Sequence, residues 1–412
     1  MVGKKGSLTL VVEKQRALIA MAVLVVMLCF VFSSTGVYAG NRSGVKDNLM
    51  VIGLLSDLSG PAAKYGKFNA YAVQDQAKYV NDKGGINGRK IKLFVQDHAY
   101  NPVRAIAAAK YLVNKHDVFA FGTFFTSAPC VACFPLIMEE KIPTITQNAT
   151  PLVYEPFKRY LFANIASSYD QAVMQMEYVV KDLKAKDKKI GIIYQEDDYG
   201  KEGARGFKKA AKAYGVRIVA EESYKRGSID FSSQIVNLRR ADPEYVLHCG
   251  IMIPSISILK EARKQSWHPQ FIMDEQASPI GVLSMASEAG EGLIVTSQWV
   301  RSYEDATGLL EMKRSIKKYR PNMTKIEPHY IWSWVNTIIL FEGIKRAGRD
   351  LTREGLVDAI ESLKEFSTGD LCPPVDFGPN DHNGGGAARF LKADLKKGDY
   401  VPITGWRKPG IE

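Results

Sequence analysis

Short apolar runs alternate along the chain with longer segments whose apolar residues recur at helical spacing. The run at 49–55 (LMVIGLL) is bounded by turn residues, which predicts a strand buried on both faces. Other predicted strands are 90–96, 118–122, 142–146, 189–194, 217–221, 245–249, 270–273 and 292–297. Predicted helices are 68–81, 102–114, one from about 127, 203–214, 231–240, 255–265, 332–347 and 352–363, the last with Thr352 as its cap.

The alternation predicts an α/β fold with parallel sheets covered by helices on both faces. It stops after 146 and begins again at 189, so we expect two similar units of the same class. Strand-like segments at 388–393 and 401–406 follow a cluster of turn residues. Two α/β units predict a cleft between them, at the carboxyl ends of the strands, where small molecules bind.

The first 39 residues have the pattern of an export signal. Basic residues precede an apolar run at 17–32, and small residues follow as far as Ala39. The run is shorter than the roughly 20 residues that cross a bilayer comfortably. We therefore expect a signal peptide at 1–39 and a periplasmic or secreted protein after cleavage near Ala39. The alternative is that the segment is retained as an anchor.

Composition adds few constraints. The chain has 412 residues, 46% hydrophobic and 24% charged, which is typical of globular proteins. The formal charge is +11, but the basic residues are scattered and not interleaved with aromatic residues in a compact stripe. Nucleic acid is therefore not an expected partner.

Four cysteines lie beyond the signal. Cys130 and Cys133 have the spacing of a redox motif, but they lie in an apolar helical run. This setting favours buried thiols or a local disulfide over redox catalysis. The cysteines are not joined by a histidine at zinc-ligand spacing, so we expect no metal site and no cofactor.

The chain carries none of the common catalytic motifs. It has no phosphate-binding glycine loop, no paired-histidine zinc motif and no serine nucleophile elbow, so we do not expect an enzyme. Two strand ends look suited to binding instead. Thr126 or Ser127 can cap the helix that follows one strand, whose free N–H groups favour an anion. Asn148 and Thr150 follow the next strand.

Several segments, in this order, carry a family resemblance. They are LSGPAAKYG at 58–66, VNDKGGINGR at 80–89, DHAYNP at 97–102, DYGK at 198–201, DFS at 230–232 and AGEG at 289–292. With them the chain resembles the type I periplasmic solute-binding proteins of ABC transporters, specifically the leucine/isoleucine/valine-binding group.

The resemblance implies two Rossmann-like lobes joined by three crossing segments, which close on a ligand held in the cleft. It implies a first lobe of residues 48–165 plus 299–370 and a second of 166–298 plus 371–412. It also implies a monomer that delivers its ligand to the membrane permease of an ABC transporter.

The resemblance also implies roles for individual residues. Phe125, Thr126, Asn148 and Thr150 match the loops that hold the ligand's carboxylate. Glu275 matches the residue that faces the ligand's ammonium group. Aromatic residues that line the cleft are matched by Tyr65 and Tyr199.

Two departures from the family pattern change the expected pocket. Ile251 and Met252 stand where relatives often carry tyrosines, and the usually serine-rich carboxylate loop contains Phe124 and Phe125. We therefore expect an apolar pocket for a small apolar amino acid or a similar carboxylate-bearing solute. The alternatives are a ligand-sensing receptor of the same fold for an aromatic acid or amide, and an enzyme built on two doubly wound domains.

Overall fold

The computed structural model describes residues 42–411, and its first sheet is parallel throughout. The strand order is β2-β1-β3-β4-β5. The strands are β1 (Leu49–Ser56), β2 (Lys90–Asp97), β3 (Ala120–Phe125), β4 (Thr144–Gln147) and β5 (Leu161–Phe162). The central strand β3 is buried along its whole length, as expected for a sheet with helices on both faces. The predicted export signal at 1–39 lies outside the described residues.

The second sheet is mixed, with the strand order β12-β11-β10-β9-β8-β6-β7. Its first five strands in the chain pair in parallel, and β11 and β12 continue the sheet in antiparallel fashion from β10. The strands are β6 (Ile190–Gln195), β7 (Ile218–Tyr224), β8 (Tyr245–Cys249), β9 (Gln270–Met273), β10 (Ile294–Ser297), β11 (Arg389–Asp394) and β12 (Asp399–Pro402).

Helices cover both sheets. In chain order they are α1 (Ala63–Asp82), α2 (Pro102–His116), α3 (Ser127–Glu139), α4 (Ser168–Glu177), α5 (Asp198–Tyr214), α6 (Ser232–Ala241), α7 (Met252–Lys264), α8 (Ile280–Ala286), α9 (Thr307–Tyr319), α10 (Pro328–Ala347) and α11 (Arg353–Glu361). The mostly buried α10 packs on β3, β4, α1 and α11, which places it with the first sheet although it comes late in the chain. No helix within residues 42–411 has the length and apolar character needed to cross a membrane.

The chain passes between the two sheets three times: after β5, after β10 and after α11. We call the first sheet with α1–α3 and α9–α11 the first lobe, and the second sheet with α4–α8 the second lobe. This arrangement confirms the predicted α/β fold class, with two Rossmann-like lobes and three crossing segments.

Side-chain caps mark the starts of four helices, α2, α4, α5 and α11. Asn101 accepts a hydrogen bond from the backbone of Arg104, and Pro102 occupies the first position of α2. The predicted cap at Thr352 is confirmed, since its hydroxyl accepts from the backbone N–H of Gly355 at 3.0 Å. The predicted strands are all present within a few residues, except that the one at 401–406 ends at Pro402. The helices α4, α8 and α9 were not predicted.

Candidate functional site

A cavity lies between the lobes at the carboxyl ends of β3 and β4. Its volume, measured as the room available to the centre of a water molecule, is about 30 Å³. Five of its lining residues are aromatic. Among the described residues, the lining includes no Asp, Glu, Lys, Arg or His. The lining consists of Ala62, Tyr65, Tyr100, Phe125, Thr126, Ser127, Gln147, Asn148, Ala149, Tyr199, Ile251, Gln276 and Trp332. Such a lining favours a ligand that has an apolar body and makes a few directed polar contacts.

The start of α3 forms one side of this cavity. Thr126 holds the N-cap position, but its φ of 74° is unusual for a β-branched residue, and its hydroxyl makes no cap hydrogen bond. The expectation that the Thr126 side chain caps α3 is therefore wrong. The Thr126 hydroxyl is buried and has no hydrogen-bond partner among residues 42–411. Beside it, the first N–H groups of α3 and the positive end of the helix dipole attract an anion.

Two more unpaired polar groups belong to the lining. The side-chain amide of Asn148, just after β4, and the indole N–H of Trp332, in α10, are buried without a partner in the described part of the chain. Buried polar atoms in folded proteins are almost always hydrogen-bonded. Unpaired atoms from three different elements in one cavity therefore indicate a place for a polar ligand group.

Tyr65 is positioned by the close approach of α1 to the end of β1. A Cβ atom on Gly66 would lie 1.8 Å from the carbonyl oxygen of Asp57, so only glycine allows this contact. The Tyr65 ring stacks on His329 with ring centroids 4.1 Å apart. Its hydroxyl donates to the backbone oxygen of Gln276 in the second lobe.

Tyr100 reaches across the cleft from the loop between β2 and α2. Its φ is 55°, a left-handed conformation that is uncommon outside glycine. The hydroxyl donates to Oδ2 of Asp197 at 3.1 Å, and the Arg226 guanidinium lies 4.8 Å from the ring centroid. Tyr100 therefore lines the cavity and joins the two lobes at once.

The second-lobe wall includes Tyr199, the second residue of α5. Its hydroxyl donates to the carboxylate of Asp274, which follows β9 and is fully buried. Burial raises the pKa of Asp274 from 3.8 to about 7, because desolvation disfavours the charged form. Ile251, in the loop before α7, completes the apolar part of this wall.

Of the residues singled out in the sequence, Tyr65, Phe125, Thr126, Asn148, Tyr199 and Ile251 line the cavity. The other four do not. Phe124 is packed in the core, with its ring centroid 6.4 Å from that of Phe121. Thr150 caps the short turn that follows, accepting from the backbone of Leu152 at 3.4 Å. Met252 begins α7 and is buried.

Glu275 also lies away from the cavity lining. Its carboxylate accepts from the hydroxyl of Ser278 at 2.7 Å and from the backbone N–H of Gln298 at 2.7 Å. Burial raises the pKa of Glu275 to about 7, while Arg301 opposes the rise. The carboxylate is therefore already held by groups of the second lobe and of the segment after β10.

Tyr100, Gln147, Gln276 and Trp332 line the cavity but were not proposed as ligand contacts. Tyr100 lies in one of the family segments, and Gln147 directly follows a predicted strand, so both carried a usable signal. Trp332 lies in an apolar helix far along the chain, and Gln276 follows Glu275. Only the packing of α10 against β3 and β4 brings Trp332 to the site.

The thiols of Cys130 and Cys133 are free and buried, in line with the expectation of buried thiols. Burial raises the pKa of both thiols, so they are protonated at neutral pH and poor nucleophiles. Residues 42–411 contain no cluster of metal-ligating side chains.

Comparison with known proteins gives the same fold and a family. An amino acid binding protein of Pseudomonas aeruginosa is 27% identical over 364 residues, which cover 88% of this chain and 91% of that protein. A Leu/Ile/Val-binding protein of Escherichia coli is 26% identical over 60% of this chain and 66% of its own length. The structure of a fatty acid ABC transporter substrate-binding protein from Thermomonospora curvata superposes with a TM-score of 0.81 and 25% identity, covering 90% of this chain and 95% of that one.

The family model described as periplasmic binding protein matches residues 50–399, which is most of the chain. This family consists of solute-binding proteins, not enzymes, and its members are periplasmic and work with ABC transporters. The match covers most of the chain, and it agrees with the two-lobed fold and the cavity between the lobes. The chain therefore belongs to the periplasmic binding protein family.

Proposed function

We propose that this chain is an extracytoplasmic receptor that binds a small carboxylate-bearing solute with an apolar body, foremost an apolar amino acid. The observation that carries the proposal is the meeting of the α3 start with the unpaired polar atoms of Thr126 and Asn148. A carboxylate accepts hydrogen bonds from such donors and is stabilised by the helix dipole. The aromatic wall then contacts the rest of the solute.

The relatives support the same ligand chemistry. Two are named for amino acids, and the structure from Thermomonospora curvata is named for a fatty acid. Both kinds of ligand combine a carboxylate with a hydrocarbon body. This shared part is what the first-lobe side of the cavity is suited to hold.

The mechanism we propose is hinge closure between lobes with the boundaries given by the resemblance, 48–165 plus 299–370 and 166–298 plus 371–412. A ligand that contacts Thr126 on one lobe and Tyr199 on the other gains both sets of contacts only when the lobes are closed. Its binding energy therefore shifts the population toward the closed form. In this proposal the receptor is exported and cleaved near Ala39. It acts as a monomer, and its closed form delivers the solute to the permease of an ABC transporter.

The test uses apolar amino acids, monocarboxylic acids and the amide of each. A thermal-shift screen identifies the tightest binder, and isothermal titration calorimetry then measures its affinity. We expect the acid to bind at least about tenfold more tightly than its amide, because the amide cannot use the charge-assisted contacts at α3. A best ligand without a carboxylate would contradict the proposal.

A matched pair of variants locates the contact. Thr126→Val removes a hydroxyl that has no partner in the ligand-free protein, so we expect weaker ligand binding by about 0.5–1.5 kcal/mol without loss of thermal stability. Thr144→Val removes another buried hydroxyl, which donates to the backbone oxygen of Ile142. This control should lower stability and leave the affinity unchanged. Equal losses of affinity in both variants would argue against the assigned carboxylate site.

A further inference from the structure

The outward face of α9 and the loop that follows it form a strongly basic surface. Six Lys and Arg residues lie between 313 and 325, and this stretch contains no Asp or Glu. The opposite face of α9 is buried and carries Leu309, Met312 and Ile316. We define the basic surface by five exposed side chains: Lys313, Arg314, Lys317, Lys318 and Lys325.

The protein itself neutralises little of this charge. Lys318 pairs with Asp82, and the neighbouring Arg320 contacts Asp75 at 2.6 Å. The other four cations of the basic surface form no ion pair with an acid of residues 42–411, namely Lys313, Arg314, Lys317 and Lys325. Like charges this close together repel one another, and an anionic partner would relieve the repulsion.

A groove opens in the basic surface, between α9, the loop after it and the crossing segment after β10. Its volume, measured as the room available to the centre of a water molecule, is about 610 Å³. Among the described residues, its lining includes no Asp or Glu. The lining combines Lys313 and Lys317 with the apolar side chains of Ile316, Met323 and Ile326. Cationic and apolar groups therefore share one groove.

An apolar side chain is also exposed beside these cations. Leu310 is 59% exposed, and it lies three residues before Lys313 and seven before Lys317 on the same face of α9. A helix face that presents lysines together with leucine suits a lipid headgroup region, where phosphates lie next to hydrocarbon.

We propose that the basic surface docks on an anionic phospholipid bilayer, with headgroup phosphates at Lys313 and Lys317 and the apolar part of a lipid against the groove. Each Lys or Arg near such a bilayer strengthens binding about fivefold, so several acting together suffice for reversible attachment. A soluble phosphate would use the lysines but would gain nothing from Leu310 and the apolar side of the groove.

Docking would leave the solute site free. The residues that line the groove and those that line the cavity between the lobes are different sets. If the chain delivers a solute to a permease, as proposed above, attachment by α9 confines its search for the permease to the plane of the membrane. Vesicle binding and solute binding can therefore be measured and can fail separately.

The experiment measures co-sedimentation of the exported protein with two kinds of vesicle. One contains equal parts of phosphatidylglycerol and phosphatidylcholine, and the other contains phosphatidylcholine alone. We expect at least about tenfold stronger binding to the anionic vesicles, and a loss of this preference in high salt, which screens exposed charges. No binding to the anionic vesicles, or equal binding to both kinds, would overturn the proposal.

A matched pair of double variants locates the surface. We expect Lys313→Gln with Lys317→Gln to weaken binding to the anionic vesicles by about tenfold or more, because two cations leave the interface. The control is Lys260→Gln with Lys264→Gln, which removes the same charge from exposed positions four residues apart on α7. The control should bind the vesicles as the native chain does. Equal losses in the two double variants would show that net charge, and not the α9 surface, attracts the bilayer.

Soluble anions test the other occupants. Calorimetry measures glycerol 3-phosphate and poly-L-glutamate on the native chain and on the α9 double variant. If either binds in a way that depends on Lys313 and Lys317 while the anionic vesicles do not bind, the surface belongs to a soluble phosphate or to an acidic protein, and docking on a bilayer is overturned. The affinity for the solute of the interlobe cavity should be the same in all these variants.

Discussion

At the scale of single residues, this site depends on polar groups that the protein leaves incompletely satisfied. The Thr126 hydroxyl, the Asn148 amide and the Trp332 indole have no partner within residues 42–411, and the Asp274 carboxylate has no cation. Each such group costs free energy in the ligand-free protein, and a ligand that pairs it recovers that energy. The site is therefore less stable than its surroundings until it is filled.

Asp274 should make the stability of the ligand-free protein depend on pH. Burial raises its pKa to about 7, so between about pH 4 and pH 7 the folded chain keeps a proton that the unfolded chain has released. Its contribution to the free energy of unfolding is then present at low pH and is lost as the pH rises through this window. We expect Asp274→Asn to remove that loss.

Urea unfolding at pH 5 and pH 8 measures this effect. The free energy of unfolding of Asp274→Asn, relative to the native chain, should be higher at pH 8 than at pH 5. The groups acting on Asp274, namely Tyr65, Tyr199, Tyr224 and Cys249, all have a raised pKa and stay protonated over this range. Glu275 is present in both proteins, so its titration cancels in the comparison. An identical difference at both pH values would show that Asp274 is already ionised in the folded state.

At the scale of the elements, strands were easier to predict than the residues that reach the site. Buried parallel strands appear in the sequence as short apolar runs, and these predicted both sheets. The helix α4 was missed, although Ser167 and Asp170 form a capping box that marks its start. The contribution of Trp332 could not be predicted, because it depends on where α10 packs and not on local sequence.

The packing of α5 gives a test at this scale. A Cβ atom on Gly203 would lie 2.4 Å from Sγ of Cys249, so α5 can approach β8 only with glycine at this position. We expect Gly203→Ala to lower the free energy of unfolding by about 1–3 kcal/mol through overpacking. It should also weaken ligand binding, because α5 carries Tyr199.

Thermal and urea unfolding of single and double variants check this explanation. Adding Cys249→Ala to Gly203→Ala removes the sulfur atom and should restore part of the lost stability. Gly405→Ala is the control, since a Cβ atom there meets nothing within 4 Å. An additive loss in the double variant would mean that the contact with Cys249 is not the cause.

At the scale of the whole molecule, direct contacts join the lobes on both sides of the cavity. Tyr65 donates to the backbone of Gln276, whose side chain also contacts Nε2 of His329 at 2.8 Å, and Tyr100 donates to Asp197. These contacts favour the closed arrangement without any ligand. The affinity for a solute therefore depends on residues that bridge the lobes as well as on those that contact the solute.

Removing one bridge should make closure less favourable. We expect Tyr100→Phe to weaken ligand binding about threefold to tenfold, since it removes from the closed form the hydrogen bond donated to Asp197 and the 3.5 Å one accepted from Gln195. Calorimetry gives the affinity, and small-angle X-ray scattering with and without ligand gives the change in radius of gyration. Tyr194→Phe is the matched control, because the Tyr194 hydroxyl donates to Glu221 within the second lobe. Equal effects in both variants would contradict a role for Tyr100 in closure.

The most direct test of the whole account is a crystal structure of the protein with its tightest-binding solute. We predict a single solute between the lobes, with its carboxylate within hydrogen-bonding distance of the Thr126 hydroxyl and the backbone N–H of Ser127. Its other end should lie against Tyr199. A solute bound outside this cavity, or one whose carboxylate points away from the start of α3, would contradict the account.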